Sequence, residues 1–157
     1  MANYLLRPLY FQIFGSEFCS DNYEDQQKMQ NSMYLLQEMG IFVGDYNFFW
    51  LKKGVYSIAL RNDIINLSGT DEMDVNFSQD AKDSVELLRK VFFKSGVNYP
   101  LVRWIECLAS MLHLKSYILP VSSSDETILE ELQKRKPYFC NKEDNLAALN
   151  SLKELSL

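Results

Sequence analysis

Histidine is nearly absent from this chain. His113 stands alone, and the three cysteines, Cys19, Cys107 and Cys140, form no CxxC pair. A zinc site needs three or four well-spaced ligands, and His113 lies six residues from Cys107, a poor helical spacing. No metal and no cofactor are therefore expected. The simpler reading is a helix-end histidine and a buried thiol, with Cys19 and Cys140 also expected to be buried among apolar neighbours. An odd number of cysteines points to a reducing, cytoplasmic setting. "MANYLLRPLYFQIFG" carries Arg7 and Pro8 in its middle, so it is not read as a signal segment. No apolar run reaches the roughly 18 residues that would suggest a membrane span. Six glycines and four prolines in 157 residues exclude collagen-like or low-complexity architecture. Basic charge is short too: 16 Lys and Arg face 21 Asp and Glu, for a net charge of −5. Broad nucleic-acid binding wants the opposite balance. The basic residues cluster only at Lys52–Lys53 and at "QKRK", 133–136. The second cluster reads as the cationic end of a helix, where it suits the macrodipole.

Apolar and aromatic residues are plentiful, at 47% and 13%. A chain of this length with that content can bury one real core, since domains commonly run to ~100–150 residues. Apolar residues recur at helical spacing through most of it. A first helix is expected over 4–14. A second ends at Gly40 with Met29, Met33, Leu36 and Met39 on one stripe, and Gly40 suits a left-handed cap. "YNFFWLKKG" reads as an extended segment buried on both sides, turning at Gly54 into a helix capped by Ser57. That helix should carry Leu60, Ile64 and Leu67. A polar loop follows over 68–78. A helix from Ser78 presents Ala81, Val85, Leu88 and Phe92. Pro100 is expected in the first turn of a central helix bearing Leu101, Ile105, Leu108 and Leu112. Ser123 and Glu126 suggest a capping box for a helix burying Ile128, Leu129 and Leu132, stopped by Pro137. Asn141 should cap a last helix with Leu146, Leu149 and Leu152 inside. The expected architecture is all-α: a single compact helical domain, 1–157, of about seven helices with a short extended aromatic segment.

Catalytic patterns are missing. No GxSxG elbow is present, and nucleophilic catalysis needs a base beside Ser or Cys. The carboxylates of "TDEMD", 70–74, and of Glu130 and Glu131 fall in a polar loop and on a solvated helix face, where nothing raises a pKa toward neutrality. "KKG" has the wrong order for a phosphate loop. An enzyme is not expected.

The order of features carries a resemblance. "KMQNSMYLLQEMG", "YNFFWLKKGVYSIALRNDI", "RWIECLASMLHL" and "DETILEELQKRKPYFCNKEDNLAAL" together span most of residues 24–153. They resemble the YwgA-like proteins of bacteria and archaea, and more distantly the Panacea (SocA-like) antitoxin domain. The YwgA-like pattern has a KLQK-type helix ending in YLLQ and Gly, an aromatic run, and a Tyr-Gly-Pro-Tyr-Ser turn. Its tail has Lys-Pro before a last helix. Gly54, Tyr56 and Ser57 match the turn; Asn31 stands where that pattern has a second Lys, and Val55 where it has Pro. Loss of the proline should leave the turn less pre-set. The resemblance implies a non-catalytic module that binds and neutralises a partner protein, as an antitoxin does a toxin; a related expectation is an inhibitor of a host defence system. Small acidic chains encoded by phage or mobile elements suit the second role. Aromatic surplus near the turn makes Tyr46, Phe48, Trp50, Lys52, Lys53, Gly54, Tyr56 and Ser57 the candidate partner-binding residues. Whether Trp50 and Tyr56 face the core or a partner stays open at this stage. The alternative is a helical DNA-binding regulator using the helix after Ser57, which offers Arg61 but also Asp63.

Overall fold

Two helices are buried around most of their circumference, and the rest of the chain wraps them. The computed structural model describes residues 3–67 and 75–157. Helix α2, Tyr23–Glu38, hides every residue from Met29 to Leu36; helix α5, Leu101–His113, hides every residue from Trp104 onward. A helix apolar or buried on all sides belongs inside a core, and α2 and α5 pack directly on each other. Around them lie α1 (Leu6–Phe14), α3 (Ile58–Ile65), α4 (Gln79–Phe92), α6 (Asp125–Arg135) and α7 (Lys142–Glu154). A π-helical turn, Leu114–Ile118, extends α5. Strands β1 (Phe49–Leu51) and β2 (Gly54–Tyr56) form an antiparallel hairpin against α2 and α5. One contiguous apolar cluster draws on all seven helices. The fold is mainly α, as the periodicity predicts, and no helix among the described residues is long and apolar enough to cross a membrane.

Local signals account for most boundaries. Gly40, at φ 90°, closes α2 with a Schellman pair: Gly40 N–H bonds the Gln37 carbonyl and Ile41 N–H bonds that of Leu36, both at 3.0 Å. Ser57, Ser78 and Asn141 cap α3, α4 and α7 through their side chains. Other expectations need correction. Helix α1 begins at Leu6. Pro100 is the extended residue before α5, not part of its first turn. Ser124 rather than Ser123 caps α6 by accepting from Thr127 N–H at 3.2 Å; this puts Glu126 one place too early for a capping box. Leu146 is exposed, because α7 turns Asn145 inward to bond Tyr99 and the Phe139 carbonyl. Cys19 and Cys140 are exposed, and only Cys107 is buried. Apolar sequence neighbours do not bury a residue whose own position lies between elements. The carboxylates Asp71, Glu72 and Asp74 of the expected polar loop lie outside the described residues.

Candidate functional site

The polar residues inside the two buried helices mark the site. On α2, Gln30 and Asn31 are almost wholly buried, and both serve the hairpin. Gln30 donates through Nε2 to the Ser57 carbonyl at 3.0 Å and accepts the Ser57 N–H on Oε1 at 2.9 Å. One side-chain amide thus satisfies both peptide groups of the residue that caps α3. Asn31 accepts the Val55 N–H on Oδ1 at 3.1 Å and points Nδ2 at the Lys53 carbonyl, 3.4 Å away. Buried amides unpaired cost free energy comparable to a lost bond; here each has a partner. Gly54 makes the approach possible. Its φ is 113°, and a Cβ there would lie 2.3 Å from Asn31 Oδ1.

Asn31 and Val55 meet at this point. A proline at position 55 would have no N–H to give. Val55 has one, and Asn31 accepts it. The turn is held by this buried hydrogen bond.

Strand register sorts the aromatics. Phe49 pairs with Tyr56, Trp50 with Val55, and Leu51 with Gly54. Side chains alternate faces along a strand. Trp50 and Val55 therefore face inward, while Phe49, Leu51 and Tyr56 face out. Phe49 and Leu51 are 42% and 40% exposed, correcting the expectation of a segment buried on both sides. The Phe49 and Tyr56 rings meet edge to face at 6.2 Å. Trp50 stacks on His113 at 6.3 Å and carries Lys136 Nζ 4.2 Å over its ring. Tyr46 is buried, donating to Asp63 at 2.6 Å and accepting from Asn3 at 2.7 Å. Phe48 packs half-buried between Tyr34 and Tyr46. Of the eight candidate residues, Lys52 is exposed, and Lys53 and Tyr56 are half-buried; all three line the cleft outside the hairpin. Tyr46, Phe48, Trp50 and Ser57 build the support, and Gly54 permits its geometry.

Beneath Trp50 lies a charge network that includes Lys136, which the sequence reading takes for part of the cationic end of a helix. Lys136, from "QKRK", is 2% exposed, and Glu106 is 1% exposed. Lys136 Nζ bonds Ser110 Oγ at 2.9 Å and stands 3.8 Å from the Glu106 carboxylate. Arg103 pairs with Glu106 at 2.9 Å and lies 4.5 Å over the Tyr138 ring. The Tyr138 hydroxyl sits between the Glu106 carboxylate and the Lys52 carbonyl, tying the network to the hairpin turn. Burial pulls Lys136 down to about 8, with Glu106 acting against it. His113, bonded through Nδ1 to the Tyr34 hydroxyl at 3.1 Å, is also lowered, by burial and then by Lys136. A serine beside a lysine of lowered pKa has the makings of an acylating pair. Ser110 is fully buried, however, and neither residue lines the clefts described among these residues.

The sign of the lysine's pH effect follows from linkage. Lys136 has a folded pKa below its unfolded value of ~10.4. Between about 8 and that value the unfolded chain binds more protons, so this group adds stability as pH rises through the window. Cys107 and Tyr34 are raised by burial and act the other way at high pH. Chemical denaturation of the wild type against Lys136→Met isolates the lysine. The wild type should gain on the variant from pH ~8 to ~10; a constant difference would show that Lys136 titrates normally.

Outside the hairpin, α2, β1, β2 and α3 enclose a cleft of about 650 Å³. Its apolar wall includes Tyr23, Leu51, Tyr56, Ile64 and Ile65, and Lys52, Lys53 and Arg61 bring three cations to it. Asp21 is its single carboxylate among the described residues. Among the described residues, none of these cations has an ion-pair partner within 4.0 Å. Tyr23, Leu51 and Ile65 are site residues that the sequence reading misses. Their only signal is negative: Tyr23 and Ile65 fall off the buried stripes of their helices. No family model matches this chain, and no curated protein and no solved structure matches it.

Proposed function

We propose that the chain is a non-catalytic protein–protein interaction module, which binds and neutralises a partner protein as an antitoxin or as an inhibitor of a host defence protein. The observation that carries this reading is the hairpin. Its outward face offers Phe49, Leu51 and Tyr56 beside a cleft, and its inward face is fixed by buried amides and by Trp50. Phe49 is exposed and Tyr56 half-buried, and aromatics held on a rigid support lose little entropy on binding and are favoured at interface centres. The YwgA-like and Panacea-like resemblance points the same way, to a cytoplasmic chain; its three thiols are free, as suits a reducing compartment. The DNA-binding alternative has less behind it. Helix α3 contributes one basic residue, Arg61, and phosphate contacts need several.

Affinity purification of the tagged chain from its native host tests the reading. One stoichiometric protein partner is expected, and repeated recovery of the free chain alone would defeat the proposal. Phe49→Ala/Tyr56→Ala should lower partner affinity by about 2 kcal/mol or more while leaving the melting curve nearly unchanged. Trp50→Ala should instead cost about 2 kcal/mol of stability, roughly half the value for a fully buried tryptophan. The reverse pattern would assign Trp50 to the contact and the outward pair to the fold.

A further inference from the structure

We propose that the cleft between the hairpin, α2 and α3 takes a short acidic segment of a protein partner, with one bulky apolar residue of that segment seated between Tyr56 and Ile65. The inference rests on the reading of the chain as a partner-binding module and specifies what that module recognises. Charge carries it. The chain is acidic overall, at −5, yet among the described residues this cleft gathers three cations against one carboxylate. No described acidic side chain pairs with Lys52, Lys53 or Arg61, whereas Lys28, Lys94 and Lys136 have carboxylate partners. Cations brought together at a concave surface without counter-charge attract a complementary anion.

The shape and chemistry of the wall select among anions. Leu51, Tyr56 and Ile65 give the cleft an apolar side that a bare phosphate or a nucleic-acid backbone would leave wet. A duplex also presents far more charge than three cations can neutralise, and the net negative chain repels the remainder. A peptide with two or three carboxylates flanking a Leu or Phe satisfies both sides of the cleft. The lysines are free to serve. Their carbonyls hold Asn31 and Tyr138, but their ammonium groups bond nothing among the described residues.

Charge reversal therefore tests recognition without dismantling the fold. A random peptide library is panned on the immobilised wild-type chain and on a Lys52→Glu/Lys53→Glu variant whose thermal melt matches it. Wild type should enrich peptides rich in Asp and Glu around one large apolar residue. A labelled enriched peptide should bind the variant about tenfold or more weakly and should weaken with added salt. Enriched peptides without acidic excess, no enrichment, or equal affinity for both proteins would overturn the proposal. So would salt-sensitive binding of a random duplex DNA, or self-association of the wild type abolished by the variant; these would assign the cleft to nucleic acid or to a second copy. The two readings fail separately. If the native partner is recovered equally by wild type and variant, the module stands and the acidic-segment assignment falls. If acidic peptides are selected but no native partner is ever recovered, the reverse holds.

Discussion

Glu106→Leu is expected to destabilise the protein by about 3–5 kcal/mol, the cost of leaving one partner of a buried ion pair uncompensated. Glu106 is the only carboxylate within 4.0 Å of Lys136 among the described residues, and it also holds Arg103 and Tyr138. Its loss strands an ammonium that is already 98% hidden from solvent, with only Ser110 and the face of Trp50 left to it. In a chain of this size the melting temperature should fall by about 10 °C. Lys136→Met should cost less, because Glu106 keeps Arg103 and Tyr138. The double variant Glu106→Leu/Lys136→Met should recover much of the loss, since a buried pair replaced by apolar groups is often neutral. Thermal and urea melts of the four proteins form the cycle. Additive single effects would mean that the pair does not interact. The pH dependence gives a second readout. Without Glu106, the lysine pKa falls further below its unfolded value, so the stability of Glu106→Leu should begin to climb with pH at a lower pH than that of the wild type.

Gly54→Ala is the second large effect, expected at about 3 kcal/mol. A φ of 113° is strained for any L side chain, which costs ~1–3 kcal/mol. The new methyl would also drive Asn31 away, forfeiting its bonds to Val55 and Lys53 at roughly 1 kcal/mol each. Asn31→Ala alone should cost ~1–3 kcal/mol by leaving the Val55 N–H buried and unpaired. If conformation and clash both contribute, Asn31→Ala/Gly54→Ala will be less damaging than the two single costs summed. A fully additive result would remove the contact between Gly54 and Asn31 from the account. Because Lys52, Lys53 and Tyr56 flank this glycine, partner binding should fall with the hairpin even where the helical core survives.

These two sites differ in how visible they are from sequence. Gly54 and Ser57 announce a turn and a cap because each acts locally: one supplies a conformation, the other a hydroxyl three residues from the N–H it accepts. Gln30, Asn31, Glu106, Ser110 and Lys136 announce nothing. They sit in or at the end of helices whose apolar stripes are clear, and polar residues off the stripe read as solvent-facing. Lys136 shows the cost of that assumption. It follows two exposed cations at the end of α6 and looks like a third, but Pro137 turns the chain and delivers it beneath Trp50.

The sequence by itself determined the helices, most of their caps, the turn at Gly54 and the lack of a nucleic-acid-like charge balance. These follow from periodicity, local hydrogen bonding and composition, which act over a few residues or over the whole chain without regard to its path. Only the tertiary structure decided which side of the hairpin faces out. A three-residue strand alternates faces regardless of its neighbours, and its register was set by Asn31 and Gln30, more than twenty residues away along the chain. The same packing separated Trp50 from Tyr56, buried Lys136 against Glu106, and left Lys52, Lys53 and Arg61 around one cleft.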